Sequence, residues 1–422
     1  MGSWRIGKAL LAGGAAALVA VSAAPAQSPP GDPGQYCQGD GGPYGMVTDA
    51  EHNVLLGEAP LPPRVRASRV TVDGVATRVL EAGPAHARDA VVYIHGNPGS
   101  ARDFDKLMSS SGRYARTIAL DISGYGQSDK SAAQVQSTDG AAKYIGGVLD
   151  QLGVRRVVLV AHDFGGIWGL QWAVQHPDAL TGVVLIDTGV LIDYVPHPLA
   201  VIFSTPEAGE LYMAQTTRDS FKDGINAQNP RPLPPDYLDR MYDNYDRAER
   251  CAALRYYRSA GQNLNLGRDQ AAVLVKRSRP ALVIWGKQDP YVPPDQAEKQ
   301  KQAFPDAQIH IFDDSGHWPF IDNARKTRKL VVPFLRPTLA VSRPHARARA
   351  RRLRVRVQVN GMLPAYRVRA RIRTIRQSRP RTVRGARTLI IHLRRPLHAR
   401  RYSLRVRARG LPPQHLSFTA RR

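Results

Sequence analysis

Residues 156–173 read RVVLVAHDFGGIWGLQWA, and their pattern indicates the fold class more clearly than any other segment of the chain. After its first arginine it is an apolar run, which predicts a buried β-strand, and its second half predicts the opening of a helix. Ala161 and Gly165 lie two residues before and two residues after Asp163, where small residues permit a tight strand-to-helix turn. A carboxylate exposed on such a turn can attack an sp3 carbon and form an ester that water then releases. A plain strand-exit turn or helix cap is the alternative interpretation.

A second motif, HGNPG at residues 95–99, follows the apolar strand predicted at 90–94. A loop in this place supplies one backbone N–H for a developing oxyanion, here that of Asn97. The residue after the nucleophile supplies the other N–H, here that of Phe164. We therefore expect both N–H groups to face Asp163.

An acid and a histidine follow in the chain, each just past a predicted strand. The segment 281–289 ends on Asp289, and His317 comes after the strand at 308–312. The carboxyl ends of strands in an open α/β sheet gather at one edge, so we expect these residues to meet. Since Asp163 is already ionised, we expect His317 to act as general base for the water that hydrolyses the ester, held by Asp289.

From about residue 70 to residue 337 the chain resembles the α/β-hydrolase superfamily, in its epoxide hydrolase and haloalkane dehalogenase branch. The resemblance implies an α/β fold with a mainly parallel sheet and a helical lid. It also implies hydrolysis through a covalent alkyl-enzyme ester, with no cofactor and no metal. The motifs that carry it are HGNP at 95–98, GYGQSD at 124–129, the aspartate turn at 161–165, GKQD at 286–289 and GH at 316–317.

The resemblance leaves a second candidate for the acid. Asp187 ends the apolar segment 182–187, which predicts the strand that follows the helix after Asp163. Some dehalogenases carry their acid at that place. Asp187 can therefore share or replace the role of Asp289. The pattern GKQDP at 286–290 is the commoner one and favours Asp289.

The two activities of this branch need different donors for the leaving group. Haloalkane dehalogenases hold the halide with an asparagine after His-Gly, matched by Asn97, and with a tryptophan directly after the nucleophile, where this chain has Phe164. Trp318 is the better candidate for a substitute in the pocket. Trp168 and Trp172 lie at helical spacing, which is more typical of a core.

Epoxide hydrolases instead use acidic phenols of the lid to protonate the opening oxygen. The segment ALRYYRS at 253–259 resembles their lid segment and places Tyr257 at the tyrosine, although a helix face packed on the core remains an alternative. Tyr212 is the candidate for the second phenol, with Tyr194, Tyr237, Tyr242 and Tyr245 as the alternatives. We therefore expect epoxide hydrolysis to a diol, with haloalkane dehalogenation as the alternative. A non-catalytic protein that binds polyanions or a cell surface is the alternative from another class.

The N-terminus has the features of a secretory signal peptide. Residues 1–26 contain Arg5 and Lys8, then the apolar run 9–24, and they end in Ala-Pro-Ala. We expect cleavage after Ala26 and a secreted or extracytoplasmic protein, with a membrane anchor as the alternative because the run is short for a span.

Only two cysteines occur, Cys37 and Cys251. In an oxidising compartment they can form one disulfide between the N-terminal extension and the lid. Two unpaired buried thiols are the alternative.

The remaining chain divides by composition. Residues 27–68 are rich in glycine and proline and predict an irregular lead-in. Residues 69–340 predict the α/β-hydrolase domain, which opens on an antiparallel hairpin turning at Asp73-Gly74. The lid is expected at about 188–277, where the strand–helix alternation is interrupted.

All of the net charge lies in residues 341–422. This segment contains 25 of the 60 basic residues, all of them arginine, and no acid, whereas the rest of the chain has 35 basic against 35 acidic residues. Its period-two alternation predicts half-buried strands with one arginine face, in a small β-sandwich-like module.

We expect an anionic cell-surface polymer or lipid as the partner of this module. Nucleic acid is disfavoured because few aromatic residues are present to stack on bases. Arginine that merely fills solvent-facing positions, or a disordered basic tail, are the alternatives.

Overall fold

The computed structural model describes residue 37 and residues 59–130, 136–363, 366–372, 376–377, 381–393 and 395–421. The expected signal peptide, 1–26, and most of the lead-in at 27–68 lie outside the described residues.

An eight-stranded sheet with the order β1-β2-β4-β3-β5-β6-β7-β8 forms the centre of the first domain. The first hairpin and the β2–β4 pair are antiparallel, and all other neighbours are parallel. This confirms the mainly parallel sheet of the α/β-hydrolase fold. The strands are β1 (Arg66–Val72), β2 (Val75–Ala82), β3 (Asp89–Ile94), β4 (Arg116–Leu120), β5 (Arg156–His162), β6 (Leu180–Ile186), β7 (Ala281–Gly286) and β8 (Gln308–Phe312).

The hairpin turn has the geometry that its sequence demands. Asp73 and Gly74 have φ of 49° and 82°, as a two-residue turn with positive φ at both central positions requires. The first strand begins at Arg66, three residues before the expected start of the domain, because residues 66–68 continue the pairing with β2.

Helices cover both faces of this sheet, whose central strands are apolar and buried. They are α1 (Asp105–Ser111), α2 (Thr138–Gln151), α3 (Phe164–Gln175), α10 (Gln296–Lys299), α11 (Pro319–Asp322) and α12 (Ala324–Leu335). Short 3₁₀ turns lie at Ala101–Phe104, Val275–Arg277 and Gln300–Gln302.

A helical lid lies between β6 and β7, as the sequence predicts. Its helices are α4 (Pro198–Ser204), α5 (Ala208–Gln215), α6 (Arg218–Ala227), α7 (Pro235–Asn244), α8 (Arg247–Ala260) and α9 (Leu266–Leu274). In the part of the chain that the structure describes, no helix is both long and apolar enough to cross a bilayer.

The lid is attached to the rest of the molecule through α8. Cys251 forms a disulfide with Cys37, which confirms the predicted bridge. The Tyr256 hydroxyl donates to the carbonyl of Ser123 at 3.2 Å, and the buried Glu249 carboxylate accepts from the N–H of Gly126 at 2.8 Å. These contacts fix one wall of the space between the lid and the sheet.

The C-terminal residues form two facing sheets, with the orders β15-β11-β9 and β10-β17-β16-β12-β13. Burial alternates along the strands at Arg352–Asn360, Tyr366–Ile372 and Arg401–Ala408, so apolar side chains fill the interior and arginines face outward. The predicted period-two strands are thus confirmed, and the first of them already begins at Thr338. The strands are β9 (Thr338–Val341), β10 (Ala346–Arg347), β11 (Arg352–Asn360), β12 (Tyr366–Ile372), β13 (Arg376–Gln377), β14 (Arg381–Val383), β15 (Gly385–His392), β16 (Arg401–Ala408) and β17 (Gln414–Arg421).

This module, residues 338–421, packs on the end of the large sheet where its parallel strands begin. Met362 lies directly against Gly182, near the start of β6, and Gly410 lies against the backbone of Arg113, just before β4. The apolar interior is continuous between the two domains at this contact.

Candidate active site

Asp163 stands on the turn between β5 and α3. Its φ of 50° and ψ of −128° lie outside the regions that most residues occupy, as on a sharp strand-to-helix turn. Gly165 is required here because a Cβ atom would overlap the carbonyl oxygen of Ile94. A Cβ at Gly96 would overlap the carboxylate of Asp163 itself. The small residues of both motifs therefore make room for the carboxylate of Asp163 on the turn.

The two oxygens of Asp163 face different groups. Oδ1 accepts a hydrogen bond from the backbone N–H of Asn97 at 2.7 Å. Oδ2 lies 3.5 Å from Nε2 of His317. Burial opposes ionisation, but the hydrogen bond and charge of His317 outweigh it and lower the pKa of Asp163 to about 2. Asp163 is thus a carboxylate with one oxygen bound and one oxygen directed at the histidine.

His317 is held on its other side by Asp289. Its Nδ1 donates to Oδ2 of Asp289 at 2.7 Å, and Oδ1 of Asp289 accepts from the N–H groups of Tyr291 and Val292 at 2.8 and 3.0 Å. Burial by itself would lower the pKa of His317, but the charges of Asp289 and Asp163 raise it well above its usual value. The three side chains named from the sequence therefore meet in one line.

Asp187 lies behind this line rather than in it. It is fully buried, and its Oδ1 accepts from the N–H of Gly286 at 2.8 Å. Burial and the charge of Asp289 raise its pKa well above the usual value, which favours the protonated form of Asp187. Polar atoms of Asp187, Asp289 and His317 all lie within 4.8 Å of one another. The contact to Nδ1 of His317 belongs to Asp289.

A further histidine, which sequence reasoning missed, positions His317. Nε2 of His162 donates to the carbonyl of His317 at 2.7 Å, and the two rings lie 4.6 Å apart. Burial, followed by the charge of His317, lowers the pKa of His162 to about 3, so this ring is neutral. Its place directly before Asp163 in the motif was the available signal.

Two cavities open onto Asp163, with empty volumes of about 690 Å³ and 970 Å³. Asp163, His197 and Tyr257 line both cavities, and they mark the place where the cavities meet. The first cavity runs under α5 and α6 and includes Asn97 and His317. The second runs under α4, α8 and α9 along mainly apolar side chains, namely Phe164, Ile167, Leu191, Ala200, Ala260, Leu264, Leu266 and Val292.

Tyr257 and His197 present neutral donors at this junction. Burial, with the charge of Asp163 adding to it, raises the pKa of Tyr257 well above its usual value, so the phenol keeps its proton. Burial lowers the pKa of His197 to about 4. Nδ1 of His197 accepts from the N–H of Ala200 at 3.2 Å, which leaves the proton of the neutral ring on Nε2. His197 was missed from the sequence because it precedes a lid helix and belongs to no motif.

The other residues named from the sequence lie around this junction. Tyr212 lines the first cavity only, is 40% exposed and packs its ring on Phe203. Trp318 lines the same cavity, as expected, and its indole N–H is buried without a hydrogen-bond partner among the described residues. Trp168 and Trp172 lie in the core, also as expected. Phe164 begins α3 directly after Asp163, and its ring meets the ring of Tyr257 at 4.7 Å.

Known proteins resemble this chain in sequence and in fold. A 2-hydroxy-6-oxononadienedioate/2-hydroxy-6-oxononatrienedioate hydrolase of Burkholderia vietnamiensis is 27% identical over 279 residues, which are 63% of this chain and 94% of that protein. The Cif epoxide hydrolase of Acinetobacter nosocomialis superposes with a TM-score of 0.58 at 19% identity, covering 74% of this chain and 100% of that one. The haloalkane dehalogenase DatA of Agrobacterium tumefaciens superposes with a TM-score of 0.57 at 21% identity, covering 65% and 97%.

At these identities the solved structures establish the fold alone. The family assignment comes from residues 89–324, which match the alpha/beta hydrolase fold family. Because this match spans more than half of the chain, the chain belongs to the α/β-hydrolase family and is a hydrolytic enzyme.

Proposed function

We propose that this enzyme hydrolyses epoxides to diols through a covalent ester on Asp163. The observation that carries the proposal is the junction of the two cavities, where a carboxylate and two neutral proton donors lie together. Opening an epoxide needs both at once, because carbon is attacked while the ring oxygen takes up a proton.

In the first step, Oδ2 of Asp163 attacks an epoxide carbon. The C–O bond of the ring breaks, and its electron pair goes to the oxygen, which takes a proton from Tyr257 or His197. Oδ1 stays on the N–H of Asn97 and becomes the carbonyl oxygen of the ester. This assignment follows from the contacts of the resting carboxylate, since Oδ1 is engaged and Oδ2 is the oxygen nearer to the histidine.

In the second step, water hydrolyses the ester. Esterification removes the negative charge of Asp163, which is one of the interactions that raise the pKa of His317. The imidazole then gives its proton to the donor that protonated the ring oxygen, and in its neutral form it accepts one from the attacking water. The N–H of Asn97, together with that of Phe164, stabilises the oxyanion of the tetrahedral intermediate. When this intermediate collapses, its C–O bond to the substrate breaks, the departing oxygen takes the proton of the added hydroxyl, and the diol leaves behind the Asp163 carboxylate and the protonated imidazole.

The two cavities also indicate a substrate class. Because both reach Asp163, an epoxide at their junction can carry one substituent in each cavity. The apolar wall of the second cavity suits a hydrocarbon substituent. We therefore infer that the preferred epoxides carry a substituent on each ring carbon, and that the substituent in the second cavity is apolar.

Haloalkane hydrolysis is the second candidate, and one observation favours it. The indole N–H of Trp318 has no hydrogen-bond partner among the described residues and belongs to the wall that also contains Asn97. Two such N–H groups are what a departing halide needs. The same attack by Asp163 would then displace halide instead of opening a ring.

Intact-mass measurement of the His317→Gln variant tests both candidates. Removing the general base should trap the ester, and its mass identifies the chemistry. An epoxide adds its whole mass to the protein, whereas a haloalkane adds its mass less that of the hydrogen halide. The matched control is the His317→Gln/Asp163→Asn double variant, which should form neither adduct. Absence of an adduct from both substrate classes, or an adduct that persists in the control, would contradict the assignment of Asp163.

We also propose that the protein is exported. The disulfide between Cys37 and Cys251 supports this proposal, since such bonds persist mainly in oxidising compartments. N-terminal sequencing of the mature protein from the culture medium tests it. Protein that retains residues 1–26 and stays in the cytoplasm would contradict it.

A further inference from the structure

The outer face of the larger C-terminal sheet carries a grid of arginines. Arg367, Arg369 and Arg371 point outward from β12, and Arg405 and Arg407 point outward from the neighbouring β16. The residues between them are buried in the sandwich interior. We call these five residues the arginine face.

The strand register places like charges directly opposite one another. Arg369 pairs with Arg407, and Arg371 pairs with Arg405. Opposed like charges on neighbouring strands destabilise a sheet, and a sequence normally offsets them with acids. Residues 341–422 contain no acid, and none of the ion pairs among the described residues involves an arginine of this module.

Arg405 illustrates how few hydrogen-bond acceptors surround the guanidinium groups of this face. It lies between Arg371 on one side and His415 of β17 on the other. Its Nε is buried and has no hydrogen-bond partner among the described residues. No acid among the described residues therefore balances the positive charge of the face.

The geometry of the face suits a chain of phosphate groups. Guanidinium groups bind phosphate oxygens in pairs. On a sheet they recur at about 5 Å between strands and at about 6.7 Å along a strand, so one extended polymer can meet several of them. The five arginines include no large apolar side chain to enter a bilayer, and Ile390, the exposed one among the described residues of this module, lies on the other sheet. It also has no aromatic side chain on which a base could stack.

We propose that the arginine face binds an extended, base-free phosphodiester polymer and so attaches the hydrolase to an anionic surface. The module packs where the parallel strands begin, through Met362 on Gly182, whereas Asp163 stands where β5 ends. Binding and turnover therefore occur at opposite ends of the large sheet. We therefore expect turnover to continue while the polymer is bound.

The test uses the full-length protein and fluorescent poly(glycerol phosphate), with binding followed by anisotropy over a series of salt concentrations. The face variant Arg369→Gln/Arg371→Gln/Arg407→Gln should bind more weakly, and its slope of log K against log salt should fall by about two units. The Arg→Lys triple variant at the same positions keeps the charge, so it should keep the slope and lose affinity. Thermal unfolding should show no loss of stability in the face variant, because two like-charge pairs are relieved.

The matched control is Arg352→Gln/Arg354→Gln/Arg356→Gln, which removes the same charge from β11 of the other sheet. It should keep most of the affinity, and all variants should keep wild-type turnover. Equal loss in the control would show that net charge alone drives binding and would overturn the proposal. Tighter binding to oligo-dT or to phosphatidylglycerol vesicles than to the polymer would also overturn it, as would no binding to any of the three.

Discussion

Replacing Asp289 with asparagine separates the roles of the two acids behind His317. In the wild type, Asp289 faces Nδ1 at 2.7 Å, and burial together with the charge of Asp289 raises the pKa of Asp187 well above its usual value, which favours its protonated form. Asp289→Asn removes that charge. Asp187 then loses one of the causes of its raised pKa and can ionise. It supplies a carboxylate within 4.8 Å of the imidazole.

The two distances set the expected loss. With an effective dielectric constant of about 20, a unit charge at 2.7 Å stabilises the imidazolium by about 6 kcal/mol, and one within 4.8 Å stabilises it by at least about 3.5 kcal/mol. The difference corresponds to at most a roughly 100-fold slower hydrolysis of the ester in Asp289→Asn. The Asp187→Asn/Asp289→Asn double variant has neither charge, and we expect a loss of about 10⁴-fold.

The assay is the single-turnover decay of the covalent ester, followed by quenched intact mass, with thermal unfolding as a check on folding. Asp187→Asn is the control. It should change the rate little, since its amide oxygen can still accept from the N–H of Gly286. Equal losses in Asp289→Asn and in the double variant would refute the substitution of one acid by the other. A loss in Asp187→Asn as large as in Asp289→Asn would show that Asp187 is charged in the wild type.

Four further outcomes are expected. Asp163→Asn should abolish turnover of epoxides without unfolding the protein, and Asp163→Ser should not yield a good esterase in a p-nitrophenyl ester assay. Tyr257→Phe should slow ring opening by about 10²- to 10⁴-fold and spare haloalkane turnover, as measured by kcat for each substrate class. Ala260→Phe, which narrows the second cavity, should lower kcat/KM for epoxides substituted on both carbons and leave terminal epoxides unaffected. Because only neutral His317 can accept a proton, lowering the pH should slow hydrolysis more than alkylation, so the fraction of esterified enzyme seen by quenched intact mass should rise.

Much of the site could be predicted because its residues lie in short motifs at strand ends. The apolar run of β5 and the small residues around Asp163 define the turn locally, with no reference to distant parts of the chain. Asp289 and His317 follow strands in the same way. Since parallel strands bring their carboxyl ends to one edge, order along the chain was enough to bring these residues together.

The lid was harder to predict, for a physical reason. Its helices are short and pack through irregular contacts, so no periodic pattern shows which side chain faces Asp163. The family resemblance predicts Tyr257. No pattern in the sequence distinguishes Tyr212 from the other tyrosines of the lid, and Tyr212 lines only one cavity. His197 reaches the junction because the chain before α4 folds over the sheet, and its neutral state arises from burial that the sequence does not reveal.

The protonation state of Asp187 could not be predicted from the sequence either. A sequence shows that two acids end neighbouring strands, but not which of them keeps a proton. That depends on burial and on their separation, both of which the fold determines.

Oxygen isotope labelling tests whether Asp163 carries the covalent intermediate. During many turnovers of an epoxide in H₂¹⁸O, hydrolysis of the ester should place ¹⁸O in the carboxylate of Asp163. Mass spectrometry of the peptide that contains Asp163 should therefore show the heavier isotope, and the diol from a single turnover should carry unlabelled oxygen from the enzyme. An unlabelled peptide, together with ¹⁸O in the diol of the very first turnover, would mean that water attacks the epoxide directly. This result would contradict a covalent ester on Asp163.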